Sequence, residues 1–192
     1  MKLFLKSTRC DTPKCAFERR DYPPGMHQWK KGKPSAYGVR LREKQKLKRY
    51  YGVLERPFRR MFGIAARTPG NTGDALLSLL ERRLDNIVCR LGMAGSRAQA
   101  RQLIRHGHVL VNRRRVDIPS FLVKAGDTIG IKNRPKSVNM VKPRYEETKP
   151  NIPDFLELTG TEPPEGKMTR LPSGTDVSIP VQVQLIVEML SK

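Results

Sequence analysis

Regularly spaced arginines are the residues of this sequence with the most definite chemistry. Arg97, Arg101 and Arg105 recur every four positions, and three more arginines are consecutive over 113–115. A guanidinium group matches a phosphate bidentately and stacks on nucleobases, so both groups predict contacts with a polyanion. No acidic residue lies four positions from any of the first three, so intrahelical ion pairs do not explain them. The alternatives are a solvated helix face and a merely soluble turn.

The charge of the whole chain points the same way. Lys and Arg number 38 against 18 Asp and Glu, which leaves a formal charge of +20. Each phosphate neutralised by a cation releases condensed counterions, so this excess favours nucleic acid as the partner over an inert basic surface. A membrane is the other polyanion, but no apolar run approaches the ~20 residues of a spanning helix. We therefore expect no membrane partner and a cytoplasmic location.

Two helices are predicted to position the first arginines. Apolar residues follow a helical period from Leu77 to Leu91, which predicts one long helix closed by glycine. Ser96 and Gln99 match the capping box S-x-x-Q at the start of a second helix, which ends before Gly107. The arginines of this second helix lie at the rim of its apolar face.

The period of the sequence changes to two after this helix, which predicts strands. Residues 108–111 form a strand, 112–115 a turn and 116–118 the returning strand. A second turn at 124–127 leads into another strand at 128–131. Together with the two helices, these strands make a compact helix–helix–hairpin–strand module.

The first part of the chain is expected to be an irregular arm followed by helices. Residues 1–37 show no regular period, and the basic run around Trp29 makes this residue a candidate for base stacking. A helix is predicted after the arm, because Leu47, Tyr50, Tyr51 and Leu54 follow a helical period. The two tyrosines of this apolar stripe are expected to pack in a core rather than on bases. A second short helix is predicted from Glu55.

The last part of the chain is expected to be mostly irregular. Residues 133–180 are rich in proline and charge and are predicted to hold little regular structure, apart from a hairpin near 168–179. A final helix is predicted from Pro180. Its apolar face is expected to pack on an earlier element.

The predicted RNA contacts form two sets. The first lies on the second helix of the module and its hairpin: Arg97, Arg101, Arg105, His106, His108, Asn112, Arg113, Arg114 and Arg115. The second surrounds the stripe of the N-terminal helix: Arg40, Arg42, Lys44, Lys46 and Arg49. The two histidines are equally well explained as phosphate donors and as ordinary surface residues.

Three stretches carry a resemblance to a known family. Residues 80–88, 90–92 and 96–112 resemble the RNA-binding module named after small-subunit ribosomal protein four. The N-terminal domain of that ribosomal family is similar to residues 37–52. Further matches are Cys10 to Cys15, Glu18-Arg19-Arg20, Pro23-Pro24-Gly25 and 171–190, so the resemblance covers nearly the whole chain and is of the bacterial or plastid type.

The resemblance implies an α+β fold with three parts. Residues 1–81 would form a mostly helical N-terminal domain with an irregular basic arm. Residues 82–145 would form the small helix–helix–β-hairpin RNA-binding module. Residues 146–192 would be an extension with a hairpin and a final helix that packs on the N-terminal domain and completes it.

The resemblance also implies a function. The chain would be a structural constituent of the small ribosomal subunit that binds its rRNA directly, nucleates subunit assembly and supports translation fidelity near the mRNA entry channel. Its partners would be this rRNA, neighbouring small-subunit proteins and mRNA near that channel, with no homo-oligomer. A free-standing RNA-binding factor and an RNA-modifying enzyme are the alternatives, since both contain the same module.

Catalysis finds little support in the residues. The triplet 83–85, Arg-Leu-Asp, resembles one of pseudouridine synthases, but it lies inside a predicted amphipathic helix. No glycine-rich loop follows a strand to hold a nucleotide or methyl donor. We therefore expect no enzyme activity.

The cysteines bear on the redox compartment and on zinc. Three cysteines are too few for a disulfide framework, and Cys89 is expected to be a partly buried structural thiol. Zinc-binding members of the family carry an upstream cysteine pair in addition to a pair spaced like Cys10 and Cys15. Because two thiolates do not complete a tetrahedral site, we expect no cofactor, and zinc only if an upstream pair exists.

Overall fold

The computed structural model describes residues 1–22, 25–27, 32–148, 152–161 and 164–191. Within them the chain forms eight α-helices and one five-stranded antiparallel sheet, which confirms the α+β class. The elements in chain order are α1 (Ala16–Arg19), α2 (Ala36–Tyr50), α3 (Glu55–Ala65), α4 (Thr72–Glu81), α5 (Leu84–Arg90), α6 (Arg97–Arg105), β1 (Val109–Val111), β2 (Arg114–Arg115), β3 (Thr128–Ile131), α7 (Pro135–Thr148), β4 (Leu156–Thr161), β5 (Pro164–Met168) and α8 (Val183–Leu190). Two 3-10 turns, Ser7–Asp11 and Gly174–Asp176, add to them.

Four helices build the first hydrophobic core. The fully buried side chains of Leu47, Phe58, Leu76, Leu80 and Ile186 come from α2, α3, α4 and α8. Helix α8 packs on both α2 and α4, although it lies far from them in sequence. The last helix of the chain therefore completes a core that begins with the first long one.

The second core lies between the sheet and the helix pair α5–α6. The strand order is β2-β1-β3-β5-β4, with every neighbouring pair antiparallel. Ile87, Ile104, Val109, Ile129 and Met168 are buried in this core without exposed surface. Helix α6 leads directly into β1, so the end of this helix is fixed relative to the hairpin.

The predicted single helix over 77–91 is wrong, because the chain breaks between α4 and α5. Arg83 has an extended backbone and forms an isolated antiparallel bridge with Leu122. The Leu84 N–H donates to the Phe121 carbonyl at 2.9 Å, and the Val123 N–H donates to the Arg82 carbonyl at 3.0 Å. These long-range bonds satisfy backbone groups that a continuous helix would have used.

The prediction of little regular structure over 133–180 is also wrong. Helix α7 and the β4–β5 hairpin lie there, and the hairpin spans 156–168 rather than 168–179. Strand β5 pairs with β3, with Lys167 opposite Thr128, so a long-range pairing holds the hairpin in place. The first hairpin is tighter than predicted, since Arg114 and Arg115 belong to β2 rather than to the turn.

Glu55, in the first turn of α3, forms a small charge cluster with two helices. Its carboxylate accepts hydrogen bonds from Lys44 Nζ at 2.7 Å, Lys48 Nζ at 3.1 Å and Arg59 Nε at 3.1 Å. The hydrogen bond from Lys44, supported by those from Lys48 and Arg59, lowers the pKa of Glu55 from 4.5 to about 2. The carboxylate therefore favours the folded state wherever it is ionised.

Replacing Glu55 with Gln is expected to flatten the acid side of the stability curve. Because the folded pKa is the lower one, the stabilisation is present above pH 4.5 and is lost as the pH falls toward 2. Urea unfolding at several pH values in this window measures the free energy of unfolding of the variant and of the unsubstituted chain. Glu157→Gln, at an exposed position on β4, is the control. Parallel curves for Glu55→Gln and the unsubstituted chain would contradict the prediction.

Candidate nucleic-acid interface

Helix α6 is held at both ends by local hydrogen bonds. Ser96 Oγ accepts from the Gln99 N–H at 3.3 Å, while Gln99 Oε1 accepts from the Gly95 N–H at 3.0 Å, one residue before the capping position. At the other end, the His108 N–H donates to the Leu103 carbonyl, as in a Schellman motif. The predicted helix bounds are confirmed, and the helix is a rigid support for its arginines.

Arg101 joins the two parts of the molecule. Its Nε donates to Asp85 Oδ2 at 2.7 Å, and its two terminal nitrogens donate to the carbonyls of Tyr51 at 2.6 Å and Gly52 at 2.7 Å. These carbonyls lie at the C-terminal end of α2, where a cation is favoured by the helix dipole. Arg101 thus has three intramolecular acceptors, none of them at a helical spacing.

Arg97 is also engaged inside the molecule. Its Nε donates to Asn86 Oδ1 at 2.8 Å, and its guanidinium carbon lies 3.8 Å from the centroid of the Tyr50 ring. A cation this close to an aromatic face gains a cation–π attraction. The geometry gives Arg97 and Arg101 positioning roles, and their direct contact with RNA stays a prediction.

A buried carboxylate lies beneath these arginines. Glu81 has no exposed surface and accepts hydrogen bonds from the Tyr51 hydroxyl, from Asn86 Nδ2 at 2.6 Å and from Arg90 Nη2 at 3.0 Å. Burial and the adjacent Glu81 charge raise the pKa of Tyr51 well above its ordinary value. Tyr51 therefore packs in the core as predicted, and the polar network fixes α2 against α5.

The first hairpin carries exposed arginines in its turn and in the strand that follows. Asn112 and Arg113 have φ values of +49° and +63°, as a two-residue type I′ turn requires. Asn112 is held from β3, since its Nδ2 donates to Asp127 Oδ1 at 2.8 Å and its Oδ1 accepts from the Thr128 N–H at 2.9 Å. The three arginines of 113–115 are exposed and have no acidic partner among the described residues.

The hairpin and the end of α6 meet at Gly107. This glycine has a φ of +75°, and a Cβ placed on it would lie 2.5 Å from Nε of Arg115. The Arg115 side chain therefore lies directly over the end of α6. Arg105 and His106, which immediately precede Gly107 in the chain, are also exposed. We call the exposed basic residues around this junction, Arg105, His106 and Arg113–Arg115, the hairpin face.

Replacing Gly107 with Ala is expected to destabilise the fold by roughly 1–3 kcal/mol, because a residue with a Cβ is strained at this φ and displaces Arg115. Thermal unfolding measures this loss of stability. Gly63→Ala is the matched control, since nothing lies within 4 Å of its added Cβ inside α3. Equal stability of the two variants would contradict the strain at Gly107.

The other predicted contacts divide between paired and free side chains. His108 Nδ1 lies 2.9 Å from Ser137 Oγ, so His108 is partly tied down, whereas His106 is exposed. On α2, the paired residues are Arg40 with Glu188 at 2.9 Å, Lys44 with Glu55 at 2.7 Å and Lys46 with Glu43 at 2.7 Å. Arg42 and Arg49 are exposed and form no ion pair with a carboxylate of the described residues.

Sequence reasoning missed several exposed cations. Arg56 and Arg60 lie on the outer face of α3, opposite its buried Phe58 and Met61, and Arg134 and Lys136 lie at the start of α7. The buried stripe of α3 was a signal for the first two, because the residues between its members must point outward. The cations near α7 gave no signal, since the sequence predicted no helix there.

The described residues do not fit a zinc site. Cys10 and Cys15 are both buried, but no group of three or more His, Cys, Asp or Glu side chains in the described part of the chain is arranged to hold a metal ion. Burial raises the pKa of the Cys89 thiol, as expected for a structural cysteine. Trp29, part of the basic run around it, and the prolines at 23 and 24 lie outside the described residues.

No described helix has the length and apolar character to cross a membrane.

Two family models match the chain. Residues 1–81 match the family model "Ribosomal protein S4/S9 N-terminal domain", and residues 82–129 match the "S4 domain".

Curated relatives resemble the chain over its full length. Small ribosomal subunit protein uS4 of Thermoanaerobacter sp. (strain X514) is 54% identical over 192 residues, which are 100% of this chain and 92% of that protein. The proteins of the same name from Thermodesulfovibrio yellowstonii and Thermus thermophilus are 52% and 50% identical, with the same coverage. The similarity therefore includes the arm, both cores and the hairpin face.

Proposed function

Because the chain belongs to the uS4 family of small ribosomal subunit proteins, we propose that it binds small-subunit rRNA chiefly through the hairpin face. It is a structural constituent of the small ribosomal subunit, not an enzyme. The observation that carries the proposal is the exposure of Arg113 in the two-residue turn and of Arg114 and Arg115 in β2, without acidic partners among the described residues. The planar donors of a guanidinium group match the geometry of phosphate, so little freedom is lost for each hydrogen bond that forms.

Recognition is proposed to depend on RNA architecture. The grooves of A-form RNA offer phosphates and 2′-hydroxyls more than readable base edges. The hairpin face and the exposed cations of α2 and α3, Arg42, Arg49, Arg56 and Arg60, would contact a folded junction from two sides. The network around Arg101 and Glu81 supports this proposal, since it fixes the relative position of the helices that carry the two surfaces.

The finer parts of the function follow from the family and are proposals. They are nucleation of subunit assembly, support of fidelity near the mRNA entry channel, and contact with mRNA and neighbouring proteins. The division into 1–81, 82–145 and 146–192 likewise stays a proposal. A formal charge of +20 supports early and direct binding to rRNA, before other proteins have neutralised its phosphates.

The triplet that resembles a pseudouridine synthase gives no support to the enzyme alternative. The side chain of Asp85 is 1% exposed and is bonded to both Arg83, at 2.8 Å, and Arg101, at 2.7 Å. A carboxylate that is buried and doubly paired is unable to reach a substrate. Asp85 has a positioning role instead.

Salt-dependent binding to small-subunit rRNA, with a scrambled RNA of equal length as competitor, tests the proposal. A preference for the rRNA that survives raised salt is expected, because shape-specific contacts add to the ionic ones. Equal affinity for both RNAs, lost together as salt rises, would mean that the chain is only a polycation. That result would overturn recognition of folded rRNA by this surface.

A further inference from the structure

A mostly apolar cavity with a few cationic residues lies between the N-terminal arm and α2. Its volume is about 400 Å³, and its walls are the first six residues, the buried thiols of Cys10 and Cys15, the Phe17 side chain and Arg49. Most of its surface is apolar. A pocket of this size accommodates one small planar group together with its substituents.

Both aromatic rings and cations line this cavity. Phe4 and Phe17 both line it and are 61% and 50% exposed, which is high for phenylalanine. Lys2, Lys6, Arg9 and Arg49 also line it, and none of its described lining residues is acidic. Lys2 Nζ lies 5.1 Å from the centroid of the Phe4 ring and is paired with Glu18 at 2.6 Å outside the lining.

We propose that this cavity receives a single unpaired base of the bound RNA. The base stacks on Phe4 and Phe17, and the flanking phosphates lie against Lys6, Arg9 and Arg49. An apolar slot with a cationic rim suits a nucleotide, which combines an apolar π-face with an anionic backbone. The inference rests on the proposed function, since it assigns one nucleotide of the same RNA to a second contact.

The backbone is strained at Phe4, which lines the cavity, and at Ser7 near it in sequence. Phe4 and Ser7 have φ values of +48° and +56°, a region that bulky residues rarely adopt. Met1 to Phe4 also line a second cavity of about 290 Å³, whose other wall includes Tyr50 and Arg97. The N-terminal segment thus lines two cavities, and the proposed base would occupy the one that Phe17 also lines.

Chemical probing of rRNA bases bound to the full chain tests the proposal at single-nucleotide resolution. Phe17→Ala and Phe4→Ala are each expected to expose the same one or two unpaired bases that the unsubstituted chain protects. Affinity should fall by about 5- to 100-fold, while the salt slope is unchanged because no cation is lost. Phe17→Tyr should retain the protection, since a tyrosine ring also stacks. Both phenylalanines are largely exposed, so neither core depends on them.

Tyr37→Ala is the matched control, because Tyr37 is an exposed aromatic residue on α2 that does not line the cavity. Identical base protection in all variants would overturn the proposal. That outcome is distinct from failure of the proposed function, in which the unsubstituted chain would not prefer rRNA over the scrambled competitor. Loss of protection over a whole RNA region, rather than at one or two bases, would also contradict a single-nucleotide pocket.

Discussion

Replacing Arg113, Arg114 and Arg115 together with glutamine is expected to lower affinity for small-subunit rRNA on the order of 100-fold at low salt. Each guanidinium is exposed, and none is paired with an acid in the described part of the chain, so little intramolecular compensation is lost. Each phosphate contact contributes about 0.7–0.9 to the logarithmic salt slope. The slope should therefore fall by about 2 to 3 if all three arginines contact phosphate.

Binding titrations at four or more salt concentrations measure both quantities. Arg170→Gln is the matched control, because the Arg170 guanidinium already forms two hydrogen bonds with Asp176, at 2.7 and 2.8 Å. This control should leave the slope nearly unchanged. A triple variant with the slope of the unsubstituted chain would show that the hairpin face does not touch RNA.

Removing the carboxylate of Asp85 is expected to cost more stability than any other single change discussed for the polar network. Asp85→Ala leaves Arg83, which is 6% exposed, and Arg101 without their shared acid. Breaking a buried pair from one side typically costs about 3–5 kcal/mol, because the remaining charge is uncompensated. Without Asp85 to hold it, Arg101 also donates less well to the Tyr51 and Gly52 carbonyls at the C-terminal end of α2.

Urea unfolding followed by circular dichroism measures this cost. Glu188→Ala is the control, since it removes a half-exposed acid paired with Arg40 and should cost at most about 1 kcal/mol. Asp85→Asn, which keeps one carbonyl acceptor, should fall between the two. A loss below about 1 kcal/mol for Asp85→Ala would mean that the arginines find other partners easily.

Capping residues and terminal glycines in the sequence correctly predicted where α6 begins and ends. Ser96 accepts an N–H of the first turn of α6 from its capping position, and Gly107 has the positive φ that ends this helix. The break between α4 and α5 had no such signal, because Leu80 and Leu84 continue the same apolar stripe across it. A long-range bridge from Arg83 to Leu122 decides the break instead, and periodicity carries no information on such pairing.

For the candidate site, the sequence predicted the exposure of the hairpin arginines but not the intramolecular partners of the arginines on α6. The residues of 113–115 were expected in a hairpin turn, and the structure places Arg113 in the turn and Arg114 and Arg115 in β2, with all three exposed. The acceptors of Arg97 and Arg101 lie on α5 and at the end of α2, outside helical spacing. Which residues meet there depends on how three helices cross, and a search limited to neighbours four positions away misses such partners.

The position of α8 has a consequence for the order in which the protein folds during its own synthesis. Ile186 is fully buried against residues of α2 and α4, but it is translated long after them. At ~5–20 residues per second, the interval is on the order of ten seconds. During this time, the nascent helical core exposes the apolar surface that α8 covers in the folded protein, so a chaperone that shields such surfaces would have a defined period in which to act.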